Sequence, residues 1–262
     1  MRLPIYQVDA FADAVFAGNP AAVVPLEAWL PDATLLAIAA ENNLAETAFF
    51  VRDGVGCELR WFTPAVEVDL CGHATLATAF VIATILEPGR ERLEFGTRQA
   101  GTLTVTREGE RFVLDFPARP PSAVEPHPDL LPALGGPKPA AVLAGRDYLV
   151  VYDDAAAVRE LTPDMARLGA LDRAAVCVTA PGAEGLDFVS RFFAPGVGIP
   201  EDPVTGSAHC TLIPYWAQRL GKTTLSARQV SARGGNLACE LAGDRVKIGG
   251  TAVLYLEGVI HV

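Results

Sequence analysis

The sequence predicts an α+β protein of two duplicated domains, each a set of short strands on a curved sheet enclosing an apolar helix. Three observations predict it: a motif repeated half a chain apart, the same order of strands and helices in both halves, and a proline-rich stretch between them. Phe62-Thr63-Pro64, an acidic stretch and Gly72-His73-Ala74-Thr75 return as Phe193-Ala194-Pro195, an acidic stretch and Gly206-Ser207-Ala208-His209. Phe62 and Phe193 stand 131 apart, whereas Gly72 and Gly206 stand 134 apart, so the second copy holds three extra residues. These fall in Ile199-Pro200-Glu201-Asp202-Pro203. Leu30-Pro31-Asp32 and Thr162-Pro163-Asp164, each introducing a helix start, are 132 apart, as are Thr47-Ala48 and Thr179-Ala180. Gly18, leading into Val23-Val24, and Gly145, leading into Val150-Val151, are 127 apart. Such a period is too long for a solenoid, whose repeats run about 20 to 50 residues.

In the first half, runs rich in β-branched and aromatic residues predict strands at 5–11, 21–24, 47–52, 58–62, 93–95, 102–106 and 111–116. A helix over 32–42 repeats apolar residues at helical spacing, and a second over 74–86 is apolar on nearly all sides and must be enclosed. The second half repeats the plan, with strands at 142–143, 148–152, 175–179 and 187–193 and a helix over 206–220. Strands at 225–231, 236–241, 245–248 and 252–257 follow. Prolines crowd residues 117–139, which suits a linker. The expected division is therefore 1–117, a linker over 118–139 and 140–262, with the last strand a candidate to cross back to the first domain.

Length and composition limit the function. The 262 residues suit two domains of ordinary size, half of them apolar and a fifth charged. A formal charge of −10 argues against a nucleic-acid or anionic-membrane surface, leaving small metabolites as expected partners. The N-terminal residues lack a secretory apolar region, and the apolar run at 74–86 is too short to span a bilayer. Five scattered cysteines without a Cys-x-x-Cys pair fit reduced thiols in a cytoplasmic protein. No local zinc signature, dinucleotide fingerprint or P-loop is present, so no metal or nucleotide cofactor is expected.

Glu46 heads the candidates for chemistry. It interrupts the mostly apolar run Leu44 to Phe50, and counting 132 residues on places Val178 opposite it in the second copy. Desolvation at the edge of an apolar strand suits a carboxylate to proton exchange near neutral pH, while the plainer alternative is a side chain on a polar strand face. His73 and Ser207 occupy matching places after Gly72 and Gly206, glycines that permit close backbone approach at the two helix starts. Two such starts facing each other would suit a carboxylate substrate, although Ser207 could be an N-cap and His73 a hydrogen-bonded boundary histidine. Asp202 and Glu201, in the extra segment, could hold a substrate amine or orient His73, or be loop charges. Cys71 has the helix-start setting that lowers a thiol pKa, or is a small buried hydrophobe; its counterpart is Thr205.

Gly18-Asn19-Pro20, Asn43-Leu44-Ala45-Glu46-Thr47-Ala48-Phe49, Phe62-Thr63-Pro64, Cys71-Gly72-His73-Ala74-Thr75 and Glu201-Asp202-Pro203-Val204-Thr205-Gly206-Ser207-Ala208-His209 follow one another in an order that resembles the phenazine-biosynthesis PhzF-like family. The resemblance runs on to Val246-Lys247-Ile248-Gly249-Gly250. It implies a diaminopimelate-epimerase-like fold, each domain a curved, mainly antiparallel, barrel-like sheet around a central helix, with the active site between the domains. It also implies a cofactor-independent homodimer acting on a small carboxylate. In that family the acid matching Glu46 shuttles the proton, and the positions matching His73, Asp202 and Ser207 line the site. Asn19, Cys71, Gly72, Ala74, Thr75, Gly206 and Ala208 are the matching candidates for substrate binding. The expected function is an isomerase that moves a proton and a double bond. The alternatives are a one-thiol racemase using Cys71, since Thr205 stands where related epimerases have a second cysteine, and a binding protein of the same fold without turnover.

Overall fold

The computed structural model of the chain describes residues 1–54 and 56–262. The chain forms two compact units, Met1–Phe116 with Ile248–Val262, and Pro117–Lys247.

The first unit opens with β1 (Arg2–Ala10) and β2 (Asn19–Leu26), an antiparallel pair. Gly18 makes their connection possible: its φ is +63°, and a Cβ there would lie 2.1 Å from the Ala10 carbonyl oxygen. Helix α1 (Asp32–Asn42) then returns the chain so that β3 (Glu46–Asp53) runs parallel to β2. β4 (Gly56–Phe62) is antiparallel to β3, and the short β5 (Glu67–Val68) folds back on its end. α2 (Gly72–Val81) follows, every residue of it buried except Phe80, so the all-round apolar sequence is indeed an enclosed helix. Its last turn widens into a π-turn over Ile82–Leu86, where the Glu87 N–H donates to the Ile82 carbonyl at 2.7 Å. β6 (Arg92–Gly96), β7 (Thr102–Glu108) and β8 (Arg111–Pro117) complete the sheet, β6 parallel to β4 and the rest antiparallel.

The second unit begins where a linker was expected. Residues 118–139 carry β9 (Ser122–Ala123), paired with β10 (Ala141–Ala144), and α3 (Leu130–Leu134). Leu130, Ala133 and Leu134 are buried in this unit's core. Pro132 sits in the first turn of α3, where no N–H is required of it, so proline density here marks turns around a packed helix. The segment is tied in once more at Arg119. Pro214, inside the long helix α6, has no N–H for the Cys210 carbonyl, and the Arg119 N–H occupies that acceptor at 2.8 Å.

From there the order of the first unit recurs. β11 (Tyr148–Val151) pairs antiparallel with β10, short helices α4 (Ala155–Glu160) and α5 (Met165–Leu168) return the chain, and β12 (Val176–Pro181) runs parallel to β11. β13 (Phe188–Ala194) is antiparallel to β12; a 3₁₀ turn over Pro195–Val197 and β14 (Ile199–Asp202) lead into α6 (Gly206–Leu220). β15 (Thr224–Gln229) runs parallel to β13 and β16 (Gly235–Ala242) antiparallel to β15. β17 (Arg245–Gly250) returns the chain to the first unit, where β18 (Ala252–His261) pairs with β1 through a bulge at Gln7/Val8. The fold is mixed α+β with mostly antiparallel sheets, and no helix among the described residues is long and apolar enough to cross a membrane.

Strand register corrects one match. Phe62 and Phe193, matching residues of the repeat, pair with Thr47 and Val176. The counterpart of Glu46 is therefore Ala175 and not Val178. Sequence counting overshot by three, an odd number that changes the strand face, and the acid still stands against a buried apolar residue.

Candidate active site

Glu46 is the first residue of β3, and its side chain is buried, not turned to solvent. Parallel pairing with Ala21 fixes its position beside β2. His73, the second residue of α2, is also buried, and its Nε2 lies 3.1 Å from Glu46 Oε2. At the other side of the ring, Nδ1 lies 3.1 Å from the Asn19 side-chain amide nitrogen and 3.5 Å from Cys71 Sγ. Asn19 opens β2 immediately after the obligate Gly18, so a tight turn places the amide against the imidazole. That contact fits two ring states: a neutral ring accepts from the amide N–H, and an imidazolium donates to the amide oxygen once the amide is turned over.

Burial disfavours the His73 imidazolium, but negative charge at its neighbours, Cys71 and Glu46, outweighs it and raises the pKa well above the ordinary value. Glu46 acts on the ring through its charge and through its contact at Nε2. The Cys71 thiol is pushed up to about 11 by burial and then by Glu46, so it keeps its proton. Of the two sequence readings of Cys71, the structure favours the buried thiol over the activated one. Glu46 Oε2 and His73 Nε2, although within ion-pair distance, make no aligned hydrogen bond. Both atoms are buried, and a buried polar atom without an aligned partner calls for an explanation.

Donor atoms of Glu46, Cys71 and His73 lie within 4.8 Å of one another. Cys71 approaches Nδ1 and Glu46 approaches Nε2, opposite nitrogens, so the ring as placed cannot share one nitrogen with both around a single ion. Of the other first-unit candidates, Gly72, Ala74 and Thr75 are buried in the first turn of α2. The Thr75 hydroxyl donates to the Cys71 carbonyl and is spent on the helix itself.

In the second unit, Asp202 ends β14 and is buried. Its Oδ2 accepts a hydrogen bond from the Thr205 hydroxyl. Thr205, at the N-cap, gives no side-chain cap because its hydroxyl points to Asp202. Ser207 is half-buried at the second position of α6, not at the cap as its sequence setting allowed, and Gly206 and Ala208 flank it. Glu201 is no loop charge: it forms a two-point ion pair with Arg191. Glu46, His73, Cys71 and Asn19 thus come together within the first unit, and Asp202, Thr205, Gly206, Ser207 and Ala208 within the second.

Gln229, at the end of β15, organises the second cluster and escaped the sequence reading. Its Nε2 donates to the Asp202 carbonyl at 2.7 Å and to Thr205 Oγ1 at 3.2 Å, and its Oε1 accepts from the Thr205 N–H at 2.8 Å. A polar residue closing a strand of alternating pattern gives no signal of its own, because its partners lie 24 and 27 residues away. Gln229→Leu leaves these buried groups without their partner. It is expected to lower the unfolding free energy by about 1–3 kcal/mol, read from urea titration. Gln229→Glu should also destabilise, because an ionised carboxylate accepts from the Thr205 N–H but has nothing to donate to the Asp202 carbonyl.

Known proteins resemble this chain over nearly its whole length. The family model described as phenazine biosynthesis-like protein, PhzC-PhzF, matches residues 8–258. The chain belongs to the PhzC-PhzF family. An uncharacterized isomerase of Pseudomonas aeruginosa is 57% identical to it over 263 residues, covering both chains completely. A PhzF-family crystal structure from Enterococcus faecalis matches with a TM-score of 0.95 at 52% identity, again over all of both chains. A hydroxyproline epimerase from Agrobacterium vitis matches with a TM-score of 0.59 over 99% of this chain and 92% of its own; at 11% identity the likeness is one of fold. Three relatives that resemble this chain over 98% or more of its length, two from Pseudomonas aeruginosa and one from Halalkalibacterium halodurans, are named uncharacterized isomerases.

Proposed function

We propose that this PhzC-PhzF protein is an isomerase that moves a proton, and with it a double bond, within a small amino- or hydroxy-carboxylate. Glu46 is the acid/base. The observation that carries the proposal is the buried Glu46–His73 contact at 3.1 Å, in which neither facing atom has an aligned hydrogen bond. Glu46 takes the activated C–H proton, holds it as the neutral acid and returns it to a different carbon, and the adjacent imidazolium stabilises the carboxylate before the first transfer and after the second. Asn19 holds the ring from its far side. In the second unit, the proposal gives Asp202 a polar substituent to orient and gives the N–H groups at Gly206–Ser207 the substrate carboxylate.

The one-thiol racemase is less well supported. A base must be deprotonated to act, and a thiol pushed up to about 11 is not, near neutral pH. Thr205, in the place of a second thiol, has its hydroxyl engaged by Asp202. The test is deuterium uptake from D₂O, by mass spectrometry, into a panel of unsaturated and amino carboxylates. Uptake that depends on Glu46 and survives Cys71→Ala supports the isomerase; uptake abolished only by Cys71→Ala overturns it in favour of the racemase. Ligand binding by wild type without uptake at any carbon overturns it in favour of a binding protein.

A homodimer belongs to the same proposal. β18 exposes Tyr255, Leu256 and Val259, and Phe16, 70% exposed, packs edge-on against Tyr255. These exposed apolar side chains offer a surface for a second copy of the chain. Light scattering should return twice the chain mass of 27.7 kDa, and the monomer mass would exclude it.

A further inference from the structure

Each unit contains an arginine, buried at Arg60 and half-buried at Arg191, that meets a glutamate and a phenylalanine in the same way, and the proton-transfer proposal uses neither. Arg60 in β4 donates from Nε to Glu67 Oε1 and from Nη2 to Glu67 Oε2, both at 2.7 Å. Arg191 in β13 donates from Nε to Glu201 Oε1 at 2.7 Å and from Nη2 to Glu201 Oε2 at 3.0 Å. Each guanidinium lies over the phenylalanine two residues on, Arg60 5.0 Å from Phe62 and Arg191 4.8 Å from Phe193. Each also reaches the chain at a Pro-Asp helix start, Arg60 the aspartate itself and Arg191 the backbone just ahead. Arg60 donates to Asp32 Oδ1 at 2.8 Å, and Arg191 to the Leu161 carbonyl at 2.8 Å, the residue before Thr162-Pro163-Asp164.

The duplication shows what this geometry is for. Arg60 and Glu67 are 7 residues apart, whereas Arg191 and Glu201 are 10 apart, so the three extra residues of the second copy lie inside the clamp. The carboxylate nonetheless meets the same two nitrogens in the same order. Downstream the spacing does not change: Glu67 and Gly72 are 5 apart, as are Glu201 and Gly206. What the two units hold in common is therefore the distance from the clamped carboxylate to the helix start, and the loop between arginine and glutamate is free to vary.

We propose that Arg60 and Arg191, with Glu67 and Glu201, are a duplicated pair of positioning residues, each fixing the helix start that carries the reactive groups of its own unit. Arg60 sets Cys71-Gly72-His73, and Arg191 sets Asp202 and Gly206-Ser207. The meaning of the positioned groups rests on the isomerase reading; the clamp itself does not. A bidentate fork suits the task because it fixes both the position and the plane of the carboxylate, which a single contact would not.

The test uses Glu67→Gln, Glu201→Gln and Arg191→Lys in the full-length protein, all near-isosteric changes that keep one point of contact. Backbone amide exchange is followed by mass spectrometry, and the ring signals of His73 are followed through pH by NMR. In Glu201→Gln and Arg191→Lys, exchange over residues 195–205 is expected to rise about tenfold or more while β15 and β16 stay protected. In Glu67→Gln, the His73 ring signals and their titration should move while those of His209 do not. With any compound that takes up deuterium, kcat should fall about tenfold or more with KM within about twofold, the split expected of a misplaced catalytic group. Wild-type protection over 195–205 together with an unmoved His73 would overturn the clamp. If no compound takes up deuterium, the isomerase reading fails, and the exchange and NMR results still decide the clamp.

Discussion

Glu46→Gln is expected to slow deuterium exchange by about 10²- to 10⁴-fold, the usual worth of a positioned proton-transfer group. Glutamine keeps the volume of the side chain and an oxygen that can face His73 Nε2, so the loss would report the missing base and not a cavity. The same change should act on the histidine. Glu46 is the charged neighbour that keeps the His73 imidazolium stable against burial, so removing that charge should lower the His73 pKa, seen as an earlier loss of the charged ring signals as pH rises. Cys71→Ala should leave exchange within a few-fold of wild type, because the thiol is protonated near neutral pH and serves His73 only as a neighbour 3.5 Å away. Full exchange in Glu46→Gln, with loss in Cys71→Ala, would transfer the role of base to the thiol.

The acids that distinguish the two units were legible because the chain carries its own control. Glu46 stands where the second unit has Ala175, and Asp202, one residue past Glu201, stands where the first has Val68, one past Glu67. Each unit thus holds an acid at a place where its twin accepts an apolar side chain, which argues that neither acid is demanded by the fold. Both helices that open on the repeated glycines were also legible, the first by its run of residues apolar on nearly all sides and the second by its match to the first. The arginine clamp was not seen, although its signal lies two residues upstream of the recognised repeat, in Arg60-Trp61-Phe62 and Arg191-Phe192-Phe193. Its partner glutamates sit at different spacings in the two copies, and pattern matching fails where an insertion separates paired residues. Gln229 was hidden for a related reason, since hydrogen bonds that span 24 residues leave no local periodicity. The proline-rich segment misled because proline density reports turns, and turns can flank a packed helix as readily as they can form a linker.

Acid should weaken the second unit through His209, which corresponds to no acid or base of the first. This side chain is fully buried on α6, its Nδ1 2.8 Å from the Thr205 carbonyl and its ring packed near Phe188, which in turn stacks on Trp216. Burial lowers its pKa from 6.5 to about 4, with the Thr205 carbonyl opposing only in part. The unfolded chain therefore takes up a proton at a higher pH than the folded one. Stability is fully present above pH 6.5 and is lost as pH falls toward 4; at about 1.4 kcal/mol per unit, the loss is on the order of 3 kcal/mol. His73 has the opposite sign. Its raised pKa contributes stability that is complete below 6.5 and disappears as pH climbs through the folded value, so the two histidines weaken the protein at opposite ends of the range. His209→Asn retains a donor toward the Thr205 carbonyl and cannot titrate. Urea midpoints followed through the amides of α6 should fall steeply between pH 6.5 and 4 in wild type and only slightly in the variant. Parallel acid curves for the two proteins would mean that His209 is not the group that carries the acid sensitivity of this unit.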